Sequence, residues 1–160
     1  MHVRKTTLAD FSEVMKIYRE AREFMIKTGN PTQWWEGYPP EDLILNDIER
    51  GDSFVVVENE EILAVFLYKH GVDPTYINIE DGSWLSEEPY GVIHRIAVNS
   101  KGRGVAAFVF DTVFGWCGNI RIDTHEGNLP MQRALEKNGF KYCGVIHIAN
   151  GDPRVAYQRI

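Results

Sequence analysis

Apolar positions near the start of the chain recur at helical spacing: Phe11, Val14, Ile17, Tyr18, Ala21 and Met25 share one face. The pattern predicts a helix. Thr7 is its candidate N-cap, Asp10 favours its first turn, and Gly29-Asn30-Pro31 ends it. Val3 to Lys5 ahead of it predicts a short strand. Trp34, Trp35 and Tyr38 fall in the loop that follows, before Pro39-Pro40. A second helix is expected from Pro40 to Arg50, with Leu43, Ile44 and Ile48 inward and Gly51 just past its end.

The period then changes from helical to extended. Phe54 to Val57 and Ile62 to Tyr68 are apolar, β-branched-rich runs separated by a turn within Glu58 to Glu61, which predicts a hairpin. Lys69 to Pro89 has no steady period and is expected to be a long loop, with a short strand at Tyr76 to Ile79. Strands are expected at Val92 to Val98, Ile120 to Thr124, Tyr142 to Ile148 and Arg154 to Ile160. Helices are expected at Val105 to Trp116 and Leu129 to Asn138, the latter closed by Gly139. Asn150-Gly151-Asp152 is a hairpin turn signal. The order predicts a mixed α/β fold, and 160 residues without repeat or linker fit a single domain over 1–160.

Composition narrows the function classes. A net charge of −6 offers no basic surplus for phosphates, which argues against a nucleic-acid partner. Apolar runs are too short to span a membrane, and the Met1-His2-Val3-Arg4-Lys5 start leads into polar sequence, so the expected location is cytoplasmic. Cys117 and Cys143 have neither CxxC nor zinc spacing; both are expected as small core hydrophobes, and no metal site is expected.

Candidate chemistry lies between a strand and a helix, in Val98-Asn99-Ser100-Lys101-Gly102-Arg103-Gly104-Val105-Ala106. Glycines there permit a tight turn with outward N–H groups, and the helix start adds unpaired N–H groups and partial positive charge. Such a loop suits phosphate or pyrophosphate, with Lys101 and Arg103 at its rim; a plain strand–helix turn is the alternative. Neither a P-loop nor a G-x-G-x-x-G fingerprint is present.

Lys101, Gly104 and Ala106 fit a Gln/Arg-x-x-Gly-x-Gly/Ala loop with Lys in the first place. Asn128 before a helix ending in Gly139-Phe140 fits a second motif, and together they resemble the GNAT superfamily of N-acetyltransferases across nearly the whole chain. The resemblance implies a central mixed sheet of six to seven strands flanked by about four helices, with splayed strands binding coenzyme A. It implies acetyl-CoA as cosubstrate and direct transfer of acetyl to an amine, small-molecule or peptide. A homodimer stays open.

Carried onto this chain, the resemblance places pantetheine along the backbone of Ile96, Ala97 and Val98. The Val98 N–H faces the thioester carbonyl to stabilise an oxyanion. Pyrophosphate sits on Gly102, Arg103, Gly104, Val105 and Ala106, and Asn128 bonds the pantetheine arm. Many relatives carry Tyr four residues before Gly-Phe to protonate the leaving thiolate; here Leu135 stands there. A coenzyme A-binding module without catalysis is therefore the alternative.

For the base, the candidates are His125, with Asp123 placed to orient it, and His94 on the thioester strand. A capping role and a satisfied sheet histidine are the respective alternatives. Trp34, Trp35, Tyr38, Tyr76, Trp84 and Tyr90 either border the acceptor or pack beneath loops. Arg95 either binds a substrate carboxylate or pairs with a loop acid.

Overall fold

In the computed structural model, which describes residues 1–99 and 103–160, seven strands and four α-helices follow the expected order. They are β1 (His2–Lys5), α1 (Phe11–Lys27), α2 (Glu41–Arg50), β2 (Ser53–Glu58), β3 (Glu61–His70), β4 (Gly91–Val98), α3 (Val105–Cys117), β5 (Ile120–Thr124), α4 (Leu129–Lys137), β6 (Lys141–His147) and β7 (Pro153–Arg159). Hydrogen bonding orders the strands β1-β2-β3-β4-β5-β7-β6. The β4–β5 pair is parallel and the β1–β2, β2–β3, β5–β7 and β6–β7 pairs are antiparallel, so the sheet is mixed. No helix among the described residues is long and apolar enough to cross a membrane.

Residues 1–68 with 94–109 form one compact unit, and residues 69–93 with 110–160 form another. In the first, the expected stripe of α1 is buried at Val14, Ile17 and Tyr18 and packs with Trp34, Ile44, Val55, Val65 and Ala97. Both faces of the β2–β3 hairpin are covered, since Val55, Val56, Ala64, Val65 and Phe66 are all 0% exposed. The hairpin turns on Asn59 and Glu60, both at positive φ, as a tight two-residue connection requires. Thr7 and Asp10 behave as a start signal: Thr7 donates its N–H (2.8 Å) and Oγ1 (3.1 Å) to the Asp10 carboxylate, which also holds Arg4. The α-helix itself begins at Phe11, because Leu8–Asp10 is a 3-10 turn.

The second unit contains the long loop. The strand expected at Tyr76 to Ile79 does not form. Asp73 accepts hydrogen bonds from the N–H and Oγ1 of Thr75, and Pro74 opens a 3-10 turn over Pro74–Tyr76. That local capping wins over the β-branched composition. The loop pairs with the sheet at one point, where Glu80 and Val145 exchange two backbone bonds of 2.8 Å at β6. Tyr76, Trp84, Tyr90, Val92, Cys143, Ile146 and Ala156 form the core beneath it. Cys143 is a core thiol, as expected, and burial pushes its pKa up; Cys117 is half-buried and also free.

Candidate active site

In the first unit, the end of β4 leads into the glycine-bearing loop. Ile96 and Val98 are half-buried and Ala97 is buried. The strand end is pinned by Asn99, whose N–H donates to Leu63 O (2.9 Å) and whose Nδ2 donates to Ile62 O (3.1 Å). Lys101 and Gly102 lie outside the described residues. Arg103 and Gly104 are exposed, and Gly104 has a φ of +70°, with no atom within 4 Å of where a Cβ would stand. The first α3 bond runs from Phe108 N–H to Gly104 O, so the N–H groups of Val105 and Ala106 precede the helical ladder. The described part of the loop thus presents open space at Gly104, N–H groups ahead of the helical ladder and the positive end of a helix, which fits a pyrophosphate.

One backbone feature stands out on β4. Arg95 has a φ of +48°, a conformation costing about 1–3 kcal/mol for a residue with a side chain. Its guanidinium does not await a substrate carboxylate. Nε (3.2 Å) and Nη2 (2.7 Å) both donate to Asp47 Oδ2. Asp47 belongs to α2 rather than a loop, and sequence reading missed it. The available signal was a carboxylate on the same helical stripe as Ile44 and Ile48. Burial lowers the affinity of Arg95 for its proton, but nearby Tyr38 and Asp47 outweigh this and hold it charged. Tyr18, driven well above its ordinary pKa by burial, and Tyr38 lie near this pair, and the Trp34 ring packs against both tyrosines. Trp34 is 7% exposed whereas Trp35 is 59% exposed, so packing accounts for the first and not the second. His94, beside Arg95, is half-buried.

In the second unit, β5 ends at Thr124 and the turn Glu126-Gly127 leads to Asn128. Asn128 is the N-cap of α4, and its Oδ1 accepts from Met131 N–H at 3.2 Å. His125 Nδ1 accepts from Gly127 N–H at 2.8 Å, which puts the proton of the neutral ring on Nε2. Burial, then Arg154, lower its pKa against Glu126 and Asp152, so the neutral ring dominates near neutral pH. Asp123 does not orient this histidine; its Oδ2 accepts the Tyr76 hydroxyl at 2.6 Å. Strand alternation would put both on one face, but β5 ends at Thr124, His125 lies past it, and the Tyr76 hydroxyl takes Asp123 Oδ2. Tyr76, Trp84 and Tyr90 are buried against one another, and Arg121 lies 4.2 Å from Trp84 and 4.0 Å from Tyr90. These three aromatics therefore pack beneath the loop. Leu135, in the place of the family's Tyr, is 0% exposed and has no proton to donate. No group of three His, Cys, Asp or Glu among the described residues is arranged to hold a metal.

Comparison with known proteins agrees with this architecture. A GNAT-family acetyltransferase from Streptococcus agalactiae 2603 superposes with a TM-score of 0.90 and 32% identity, covering 99% of this chain and 94% of that one. A GNAT-family acetyltransferase from Listeria monocytogenes 4b F2365 gives 0.69 at 18% identity, over 99% and 93% of the two chains. AAC(6')-Ib, solved with ribostamycin and coenzyme A, gives 0.64 at 20% identity, over 98% and 91%. The last two carry the fold alone. No family model matches the sequence, and no curated protein is significantly similar to it.

Proposed function

This chain belongs to the GNAT family of acetyltransferases, and from that premise we propose that it is an acetyl-CoA-dependent N-acetyltransferase acting on a small-molecule or peptide amine. The observation that carries the donor half is Gly104, left-handed, facing open space, immediately before the first-turn N–H groups of α3. Acetyl-CoA supplies an acetyl group activated as a thioester. The chain's part is to bind and aim it. N–H groups from Gly102 to Ala106 take the pyrophosphate, with Lys101 and Arg103 adding charge at the rim. Ile96, Ala97 and Val98 receive pantetheine as an added strand, and the Val98 N–H polarises the reacting carbonyl. Asn128 bonds the pantetheine arm. The amine reaches the carbonyl as its free base, after losing a proton to His94 or, through Nδ1 once the Gly127 bond opens, to His125. Positioning and carbonyl polarisation supply most of the rate.

The buried Leu135 favours a second reading, in which the chain binds coenzyme A without catalysis. Thermal melting with acetyl-CoA, using ADP as control, followed by acetyl transfer to an amine panel, separates the two. Ligand that binds the native state raises Tm by mass action. A shift larger than that with ADP, abolished by Gly104→Glu, supports the donor site. A shift without transfer to any amine leaves the binding module, and no shift at saturating acetyl-CoA overturns both readings.

A further inference from the structure

Four described non-glycine residues have positive φ: Asn59, Glu60, Asp81 and Arg95. The first two turn the β2–β3 hairpin and the third lies in the long loop; Arg95 alone lies within a strand. A left-handed residue inside a strand breaks the alternation of its side chains and re-aims every backbone group that follows. Long unbranched side chains have no intrinsic preference for that conformation, so something outside the backbone must hold it.

The holder is visible. The Arg95 side chain is 15% exposed and that of Asp47 is 7% exposed, and two guanidinium nitrogens converge on one oxygen, Oδ2. Asp47 stands between Ile44, 1% exposed, and half-buried Ile48 on the inner stripe of α2, where a carboxylate is costly unless paired. A surface ion pair could be lost without consequence, but this one satisfies two enclosed charges at once. Four residues on from Arg95, Asn99 clamps the far end of the segment to β3 through two bonds to Ile62 and Leu63. Ile96 to Val98 therefore lie between two fixed points, one made by a side-chain pair and one by an amide. These are the residues assigned to pantetheine.

We propose that the Asp47–Arg95 pair is a positioning latch: it holds the left-handed backbone of Arg95 and thereby aims the N–H and C=O groups of Ile96 to Val98 at the acetyl-pantetheine arm. The inference rests on the donor site described under Proposed function. Neither side chain touches the donor; both act through the backbone of β4.

The test compares two probes, acetyl-CoA and adenosine 3′,5′-bisphosphate, which retains phosphates and nucleoside but lacks pantetheine. Calorimetric titration is run on the wild type, Asp47→Asn, Arg95→Ala and Arg95→Gly. Asp47→Asn and Arg95→Ala are expected to weaken acetyl-CoA by more than about tenfold and to leave the bisphosphate within about twofold. Arg95→Gly removes the side chain but adopts positive φ without strain, so it is expected to retain acetyl-CoA affinity within about threefold of wild type. Melting curves establish which variants fold, and Asp47→Asn, nearly isosteric, carries the test if Arg95→Ala does not. Unchanged acetyl-CoA affinity in Asp47→Asn and Arg95→Ala overturns the latch and leaves the donor site standing. Equal loss of both probes, or Arg95→Gly as weak as Arg95→Ala, also overturns it. A wild type that binds neither probe overturns the donor site itself.

Discussion

Arg95 in the first unit and Arg121 in the second are both arginines on strands with side chains largely enclosed among aromatic rings, yet they do opposite things. Arg121 is 3% exposed at its side chain, sits between the rings of Trp84 and Tyr90, and donates from Nη2 to Ser86 O at 2.7 Å. It fastens a loop to a strand, and its Nε finds no hydrogen-bond partner among the described residues. Arg95 fastens a helix to a strand and imposes a backbone conformation there. One arginine contributes stability through what it covers; the other shapes the residues that follow it. An arginine's burial therefore does not reveal its role, whereas the φ angle at its own Cα does.

The contrast can be broken first at Arg121. Arg121→Ala removes both ring contacts and the bond to Ser86 O, and should cost about 3–4 kcal/mol in urea unfolding while leaving acetyl-CoA affinity of the folded protein unchanged. A loss of affinity comparable with that of Asp47→Asn would erase the distinction. Gln158 secures the same loop: 0% exposed, it accepts from Leu85 N–H (2.7 Å) and donates to Asn119 Oδ1 (2.7 Å). Gln158→Leu leaves those groups enclosed without partners and should cost about 2–3 kcal/mol by the same measurement. Tyr76→Phe deletes the bond to Asp123 and should cost about 1–2 kcal/mol. If His125 depends on Asp123 only through sequence proximity, its NMR titration will not move in that variant.

The smallest effect belongs to the first unit and is read through pH. The hydrogen bond from Arg4, aided by Thr7, holds Asp10 at about 2, below its ordinary 3.8. A carboxylate depressed on folding stabilises the native state fully above about pH 4 and ceases to do so as pH falls through about 2. Arg4 is 39% exposed, so solvent screening limits the contribution to about 1–2 kcal/mol. Asp10→Asn should flatten that acid limb in melting curves recorded from pH 6 to about 2.

The strand–helix order was legible because each element carries its own period and punctuation. Thr7, Gly51 and Asn150-Gly151 all mark real boundaries. The strand expected at Tyr76 to Ile79 gives way because Asp73-Pro74 is a start signal for a 3-10 turn. The glycine turn ahead of α3 was legible at Gly104, while its phosphate role stands as a proposal and Lys101 and Gly102 lie outside the described residues. The Asp47–Arg95 pair was not: its members are 48 residues apart, and nothing in a single sequence encodes the sign of φ at Arg95. The Tyr76–Asp123 bond, 47 residues apart, displaced the expected His125–Asp123 pairing for the same reason.

The bridge between Glu80 and Val145 has a consequence beyond anchoring a loop. β6 ends the strand order, and its outer rim of N–H and C=O groups could template a strand from another molecule. Glu80 occupies part of that rim, and the approach is so close that a Cβ on Gly144 would run into the Glu80 carbonyl oxygen. Any larger residue at Gly144 would push this cover away and bare the rim. Replacing Gly144 is therefore expected to raise self-association, read as light scattering of the folded protein.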